Sequence, residues 1–314
     1  MELHATDSNP IPEGADVSAV TTAEGVVLRA AHWPAAGSPQ KGTICLLHGR
    51  GETIEKYFET VGDLRGRGFA VATLDWRGQG GSERRIGKPG RGHVDSFAEY
   101  DRDLDAFIEQ VALPDCPAPY FALAHSTGAL VALRAAQQAR VRFQRMVLVS
   151  PLVALPGRRN SPILGFRIAR LLAAMGLGEL PIHHRRTVSI DRMAFDDNPL
   201  TSDPVRFERS ANIIRALPQL AAGPPTFGWL YAAGRAMQEA AEPDFAPSVR
   251  TPVLVVVGST DRIVSPRAME ALSLELRAGS QVVIPGGRHE ILMERDRLRG
   301  LFWAAFDQFI PGSG

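Results

Sequence analysis

The stretch Pro119-Tyr120-Phe121-Ala122-Leu123-Ala124-His125-Ser126-Thr127-Gly128-Ala129-Leu130 constrains the fold of this chain more than any other. Its apolar first half reads as a buried strand that stops at Ser126. A helical pattern begins at once, through Leu130, Val131, Leu133 and Ala136. Small residues stand two before the serine (Ala124) and two after it (Gly128), where strand and helix backbones must pass close together. Strand, tight turn and helix in that order belong to an α/β architecture. The turn lifts the Ser126 hydroxyl above a sheet edge and aims the Thr127 N–H at the same point. One local segment thus supplies a candidate nucleophile and one candidate oxyanion donor. The plain alternative makes Ser126 the N-cap of the following helix. Ala124 stands where such turns usually carry glycine.

Apolar runs and helical patterns alternate along the rest of the chain. Val26–Trp33 reads as a strand of a hairpin that begins near Val17. Gly42–Leu47, Phe69–Leu74, Arg145–Ser150, Val253–Val257 and Gln281–Ile284 read as further strands. Helical patterns cover Ile54–Arg67, Ser96–Val111, Pro266–Arg277 and Leu298–Phe309. This alternation predicts a mostly parallel sheet covered by helices on both faces. Pro151 to about Ser248 breaks the rhythm, with helical patterns, many prolines and no strand signal. So long an insertion reads as a helical subdomain rather than a loop. Residues 1–150 and 249–314 are therefore expected to form the core, and 151–248 a helical cap. Within the cap, Ile163–Met175 is strongly apolar with two arginines. It reads either as an ordinary packed helix or as a lipid-facing one.

Composition narrows the partners. A net charge of +1 gives no electrostatic case for nucleic acid. No apolar run reaches the ~18 residues of a membrane span, and the first residues lack the pattern of a secretory signal. A cytoplasmic protein is expected, with peripheral membrane contact through the cap as the membrane reading left open. Cys45 and Cys116 read as reduced thiols.

A serine hydroxyl needs a base and an acid to act as a nucleophile at neutral pH. Two candidates lie just past predicted strand ends. Val253–Val257 runs into Gly258-Ser259-Thr260-Asp261, and Val282–Ile284 into Pro285-Gly286-Gly287-Arg288-His289. Active groups of open α/β sheets collect at that edge. The order Ser126, Asp261, His289 is the order of serine α/β-hydrolases. A second oxyanion donor is expected from the Arg50 N–H, in the glycine-bearing loop His48-Gly49-Arg50-Gly51-Glu52. His48 is the rival base, but its place in that loop favours a structural bond to nearby backbone. His125 reads as packing. The pair His183–His184 lacks companions at metal-ligand spacing, so no metal and no cofactor are expected.

Taken together, these motifs resemble α/β-hydrolases of the bacterial lysophospholipase and monoacylglycerol lipase type. The resemblance rests on His48-Gly49-Arg50-Gly51-Glu52 with Lys56-Tyr57, on Asp75-Trp76-Arg77-Gly78-Gln79-Gly80-Gly81-Ser82, and on Arg91-Gly92-His93-Val94-Asp95-Ser96-Phe97. It continues through the elbow, Asn198-Pro199-Leu200-Thr201, Gly258-Ser259-Thr260-Asp261 and Gly287-Arg288-His289-Glu290. It implies a sheet of about eight strands with a helical cap. It also implies hydrolysis of one ester bond in a single-acyl-chain lipid. On it, nucleophile, acid and base fall on Ser126, Asp261 and His289, and the oxyanion donors on Arg50 and Thr127. Alternatives on the same residues are a short-chain carboxylesterase and an amide hydrolase. A non-catalytic small-molecule binder that has kept the fold is the reading from another class.

Overall fold

The computed structural model describes residues 1–37, 39–84, 92–141, 143–157, 161–182 and 189–311. His183 and His184 lie outside them. Eight strands form one sheet: β1 (Asp16–Thr21), β2 (Val27–Trp33), β3 (Thr43–Leu47), β4 (Ala70–Leu74), β5 (Tyr120–His125), β6 (Met146–Val149), β7 (Val253–Gly258) and β8 (Gly279–Ile284). Their order is β1-β2-β4-β3-β5-β6-β7-β8. β1 and β2 form the expected hairpin, and β2 lies antiparallel to β4. From β4 to β8 every pairing is parallel.

Side chains of a strand alternate between the two faces, and both faces here are apolar. Cys45, Leu47, Ala122, Ala124, Leu148, Val255 and Val257 share one core with α2 (Phe97–Phe107), α4 (Ser126–Gln137) and α9 (Pro266–Glu275). Ile44, Leu46, Phe121, Leu123, Val147, Val149, Leu254 and Val256 face the other core. There they meet α1 (Phe58–Gly66) and α10 (Asp296–Phe309). Near-continuous apolar strands follow from this double burial.

The helix expected over Ile54–Arg67 begins as a 3-10 turn (Ile54–Tyr57) before α1. The one expected over Ser96–Val111 is α only to Phe107. It starts at a capping box in which the Ala98 N–H donates to Ser96 Oγ and Glu99 reaches back to the Ser96 N–H. It then widens into a π-turn over Ile108–Ala112, followed by the short α3 (Leu113–Asp115).

Between β6 and β7 no strand joins the sheet among the described residues. This segment carries α5 (Ser161–Ala174), α6 (Pro204–Ala216), α7 (Phe227–Ala240) and α8 (Phe245–Ser248). α5 packs on α7, where a Cβ at Gly234 would meet the Phe166 ring at 2.6 Å. α7 packs in turn on α2 and α4. α6 is tied to the core by Arg206 and Arg209, which share Glu59 of α1 with Arg299 of α10. Burial alone would raise the Glu59 carboxyl, but the three guanidinium groups hold it down at about 2.

The sheet order reverses at β3, with β4 on one side and β5 on the other. Crevices at such a switch point, beyond the strand carboxyl ends, are where α/β sheets bind ligands. Leu47 at the end of β3 pairs with Ala124 of β5. The loops leaving these two strands, His48–Glu52 and the turn at Ser126, therefore emerge side by side.

Candidate active site

Ser126 sits at that turn with φ +50°, a left-handed conformation that few non-glycine residues adopt. The backbone turns so sharply because α4 starts directly where β5 ends. The required smallness is measurable at Gly128, where a Cβ would lie 2.4 Å from the Leu47 carbonyl oxygen and 2.6 Å from that of His48. Position 124 is less demanding: the Ala124 methyl is fully buried without displacing β3 or β6, to which it pairs. The departure from glycine is thus accommodated in the strand.

His289 comes from the loop after β8. Its Nε2 lies 3.2 Å from Ser126 Oγ, and its Nδ1 lies 2.8 Å from Asp261 Oδ2. Asp261 follows β7, and its other oxygen accepts the N–H groups of Ile263 (2.7 Å) and Val264 (3.0 Å). Burial works against its charge, but the His289 hydrogen bond and the two backbone donors hold the carboxyl below its usual range. All three side chains are buried. Gly258 lets the His289 loop pass: a Cβ there would stand 2.2 Å from the Arg288 carbonyl oxygen. Arg288 then donates to the carbonyls of Asn198 and Thr201, and the Glu290 N–H to that of Leu200. The Asn198–Thr201 motif thus clamps the His289 loop.

The loop after β3 lies against the serine, since a Cβ at Gly49 would come within 3.2 Å of Ser126 Cβ. The Gly49 N–H donates to Glu52 Oε2 (2.5 Å) and the Gly51 N–H to Gln79 Oε1 (2.6 Å), which fixes the backbone on either side of Arg50. The Arg50 guanidinium reaches into the β6–β7 segment. It donates to Gly223 O (3.1 Å) and lies 5.0 Å from the Trp229 ring centroid. Burial lowers it to about 10. Thr127 is buried beside Ser126 at the start of α4.

His48 does not reach the serine chain. Its Nδ1 meets Gly49 O (2.8 Å) and its Nε2 Asp75 Oδ1 (3.2 Å), so it organises the loop. Asp75 also takes Arg29 Nε (2.7 Å) and the N–H groups of Ile54 and Gly81. Burial opposes its charge, yet Arg29 and His48 keep it at about 2. His93 meets Thr226 Oγ1 at 2.7 Å, tying the loop before α2 to the start of α7.

Reading His125 as a packing residue is corrected by the structure: its ring is hydrogen-bonded at both nitrogens, to Glu52 and to the His289 carbonyl. Around it lies a buried group that spacing alone did not reveal. Glu52 takes Lys56 Nζ (2.9 Å) and Tyr57 Oη (2.8 Å), and Lys56 pairs with Glu290 (2.6 Å). The available signal was the presence of Glu52, Lys56, Tyr57 and Glu290 inside the motifs that carry the family resemblance. A separate cavity of about 490 Å³ opens between α5, α7 and the loop before α2, lined by His93, Arg170, Glu179 and Tyr231; Ser126, Asp261 and His289 do not line it.

The sheet order, the serine turn and the loops converging on it define an α/β-hydrolase of the serine type. A soluble variant of the Saccharomyces cerevisiae monoglyceride lipase, solved with a substrate analogue, superposes with a TM-score of 0.74 at 19% identity. The match covers 99% of this chain and 100% of that one. Residues 38–296 match the family model described as serine aminopeptidase, S33, and the chain belongs to that family. It is 30% identical over 254 residues to a probable lysophospholipase L2 of Haemophilus influenzae, covering 81% of this chain and 79% of that protein. It is likewise 30% identical over 286 residues to lysophospholipase L2 of Escherichia coli K12, covering 85% and 79%.

Proposed function

We propose that the chain hydrolyses the ester of a single-acyl-chain lipid, a lysophospholipid or a monoacylglycerol, through an acyl-enzyme on Ser126. The observation that carries this reading is the unbroken hydrogen-bond chain from Ser126 Oγ through His289 to Asp261. His289 takes the serine proton as Oγ attacks the ester carbonyl, while Asp261 holds the ring with Nδ1 protonated. The N–H groups of Arg50 and Thr127 receive the oxyanion. His289 then protonates the leaving alcohol and activates the water that frees the fatty acid. No cofactor or metal enters these steps. The names of the relatives support the lipid, and the segment 151–248 serves as the cap that shapes its site.

An ester panel tests the substrate. Lysophospholipids, monoacylglycerols and p-nitrophenyl esters of increasing chain length should give kcat/KM values that peak at long chains. A peak at acetyl would replace the lipid with a short-chain ester. The family's description keeps amide hydrolysis as a second reading, which aminoacyl amides in the same panel would expose.

The cap also supports contact with a lipid surface. Leu164, Ile168 and Leu171 recur at helical spacing on the face of α5 turned from α7, Met175 follows just past its end, and all are exposed. Leu177 and Leu180 extend the patch. Among the described residues no helix is long and apolar enough to cross a membrane, so such contact would be peripheral. In vesicle flotation the wild type should float, and Leu171→Glu should lower the bound fraction several-fold. Equal flotation of both would remove α5 from the contact.

A further inference from the structure

His125 precedes the nucleophile and has no part in the steps above. Its ring is buried. Nδ1 lies 3.1 Å from Glu52 Oε2, and Nε2 lies 3.3 Å from the main-chain oxygen of His289. A carboxylate and a carbonyl only accept hydrogen bonds. A neutral imidazole has one N–H, so it would serve one partner and turn a lone pair on the other. The imidazolium satisfies both. We propose that His125 is a buried imidazolium that braces the oxyanion loop and the base loop against the elbow, acting as a positioning residue for ester hydrolysis. The inference rests on the reading of Ser126 and His289 as nucleophile and base.

The charges around the ring agree. Glu52 and Glu290 are two buried carboxylates, and Lys56, bonded to both, is one ammonium. Without a second cation one buried negative charge would stand unbalanced, which is costly in a low-dielectric interior. A protonated His125 closes the count at two against two. Burial works against each charge, but Glu52 holds the His125 ring above the ordinary imidazole range, and His125 and Lys56 hold Glu52 well below the carboxylate range. The other groups facing the cluster are Tyr57, Ser126, Ser150, the His289–Asp261 pair and His48, which stacks on Tyr57 and adds to the charges acting on Glu52. The Tyr57 hydroxyl is pushed up by burial and by Glu52. Ser150 Oγ donates to the same His289 oxygen (2.9 Å), and the His289 ring centroid is 4.8 Å from that of His125.

The mechanical path is continuous. It runs from the Gly49 N–H through Glu52 and His125 to the His289 main chain, linking the loop that receives the oxyanion with the loop that carries the base. When His125 loses a proton, one of its two bonds loses its donor. Because the ring is raised above its ordinary value, the brace outlasts an ordinary imidazolium and is lost as pH rises through that raised value. The kcat profile should therefore carry an alkaline limb above the ordinary imidazole range.

Glu52→Gln removes the charge that holds the proton. It should move this limb to lower pH and lower kcat by ~10–100-fold with KM little changed, as expected when positioning is lost. A merely structural role would cost active protein without moving the limb. The direct readout is NMR of protein labelled with ¹⁵N-histidine, with His125→Gln identifying one signal among the eight histidines. The wild type should show one ring with both nitrogens protonated above the ordinary imidazole range, and Glu52→Gln should release a ring proton at lower pH. A singly protonated His125 at neutral pH would overturn the proposal, as would an unmoved alkaline limb. Should Glu52→Gln fail to fold, the wild-type spectrum alone decides. Fluorophosphonate labelling of Ser126 is read separately. A labelled serine beside a neutral His125 removes the brace and leaves the hydrolase, whereas an unlabelled serine beside an imidazolium removes the hydrolase.

Discussion

Ser126→Ala should lower kcat on p-nitrophenyl and lipid esters by ~10⁴–10⁶-fold, which is about 5–8 kcal/mol of lost transition-state stabilisation. The loss is large because, in the proposed mechanism, the hydroxyl is the atom that bonds to the substrate. The rest of the site survives: the β3 loop stays against the elbow, and His289 keeps its bond to Asp261. Residual turnover should then come from oxyanion binding and water alone. KM should change little, since the missing oxygen contributes to the transition state far more than to ground-state binding. Fluorophosphonate should label the wild type at Ser126 and leave the variant unlabelled. Matching thermal melts would show that the variant is folded. Retention of wild-type kcat by Ser126→Ala would end the assignment of the nucleophile.

The sheet was legible because every central strand is buried on both faces, so each appears as an unbroken apolar run. Strand ends moved by a residue or so where a local contact intervenes. β3 starts at Thr43, one residue after Gly42, whose φ of +112° is not that of a strand and where a Cβ would meet the Pro119 carbonyl oxygen at 2.3 Å. α10 starts at Asp296, before the expected Leu298, because its first turn is polar and carries no apolar period. The positions of Ser126, Asp261 and His289 past three strand ends were legible for a topological reason: parallel strands deliver their following loops to one edge. The pairing of His125 with Glu52 was not. It joins residues far apart in the chain through side-chain hydrogen bonds, and neither periodicity nor motif spacing encodes which way a ring nitrogen points. The same holds for the clamp on Glu59 by Arg206, Arg209 and Arg299. Charge pattern marks these residues as polar, and only the fold brings them onto one carboxylate.

Asp261→Asn should lower kcat by ~10⁴-fold while leaving the fold intact. Asp261 Oδ2 accepts the His289 Nδ1 proton at 2.8 Å. In the neutral ring that bond places the proton on Nδ1 and leaves Nε2, 3.2 Å from Ser126 Oγ, as the acceptor a base must be. The remaining oxygen of Asp261 is held by the Ile263 and Val264 N–H groups. In the asparagine variant these two donors select the amide oxygen for their own side, which turns the NH₂ toward His289. A donor there makes Nδ1 an acceptor and moves the ring proton to Nε2. The ring then donates to Ser126 and cannot receive its proton. The variant also loses the negative charge that stabilises the imidazolium formed during attack. Because the tautomer is the cause, the defect should shrink at high pH, where hydroxide substitutes for the base, and fluorophosphonate labelling of Ser126 should slow in parallel with kcat. Asp261→Ala should be similarly slow, since it also lacks the charge. If Asp261→Asn kept kcat within ~10-fold of the wild type, the carboxylate serving His289 would have to be another residue. The nearest alternatives by chain position are Glu290 and Glu294, and Glu290 is already engaged by Lys56 while Glu294 accepts the Arg288 N–H.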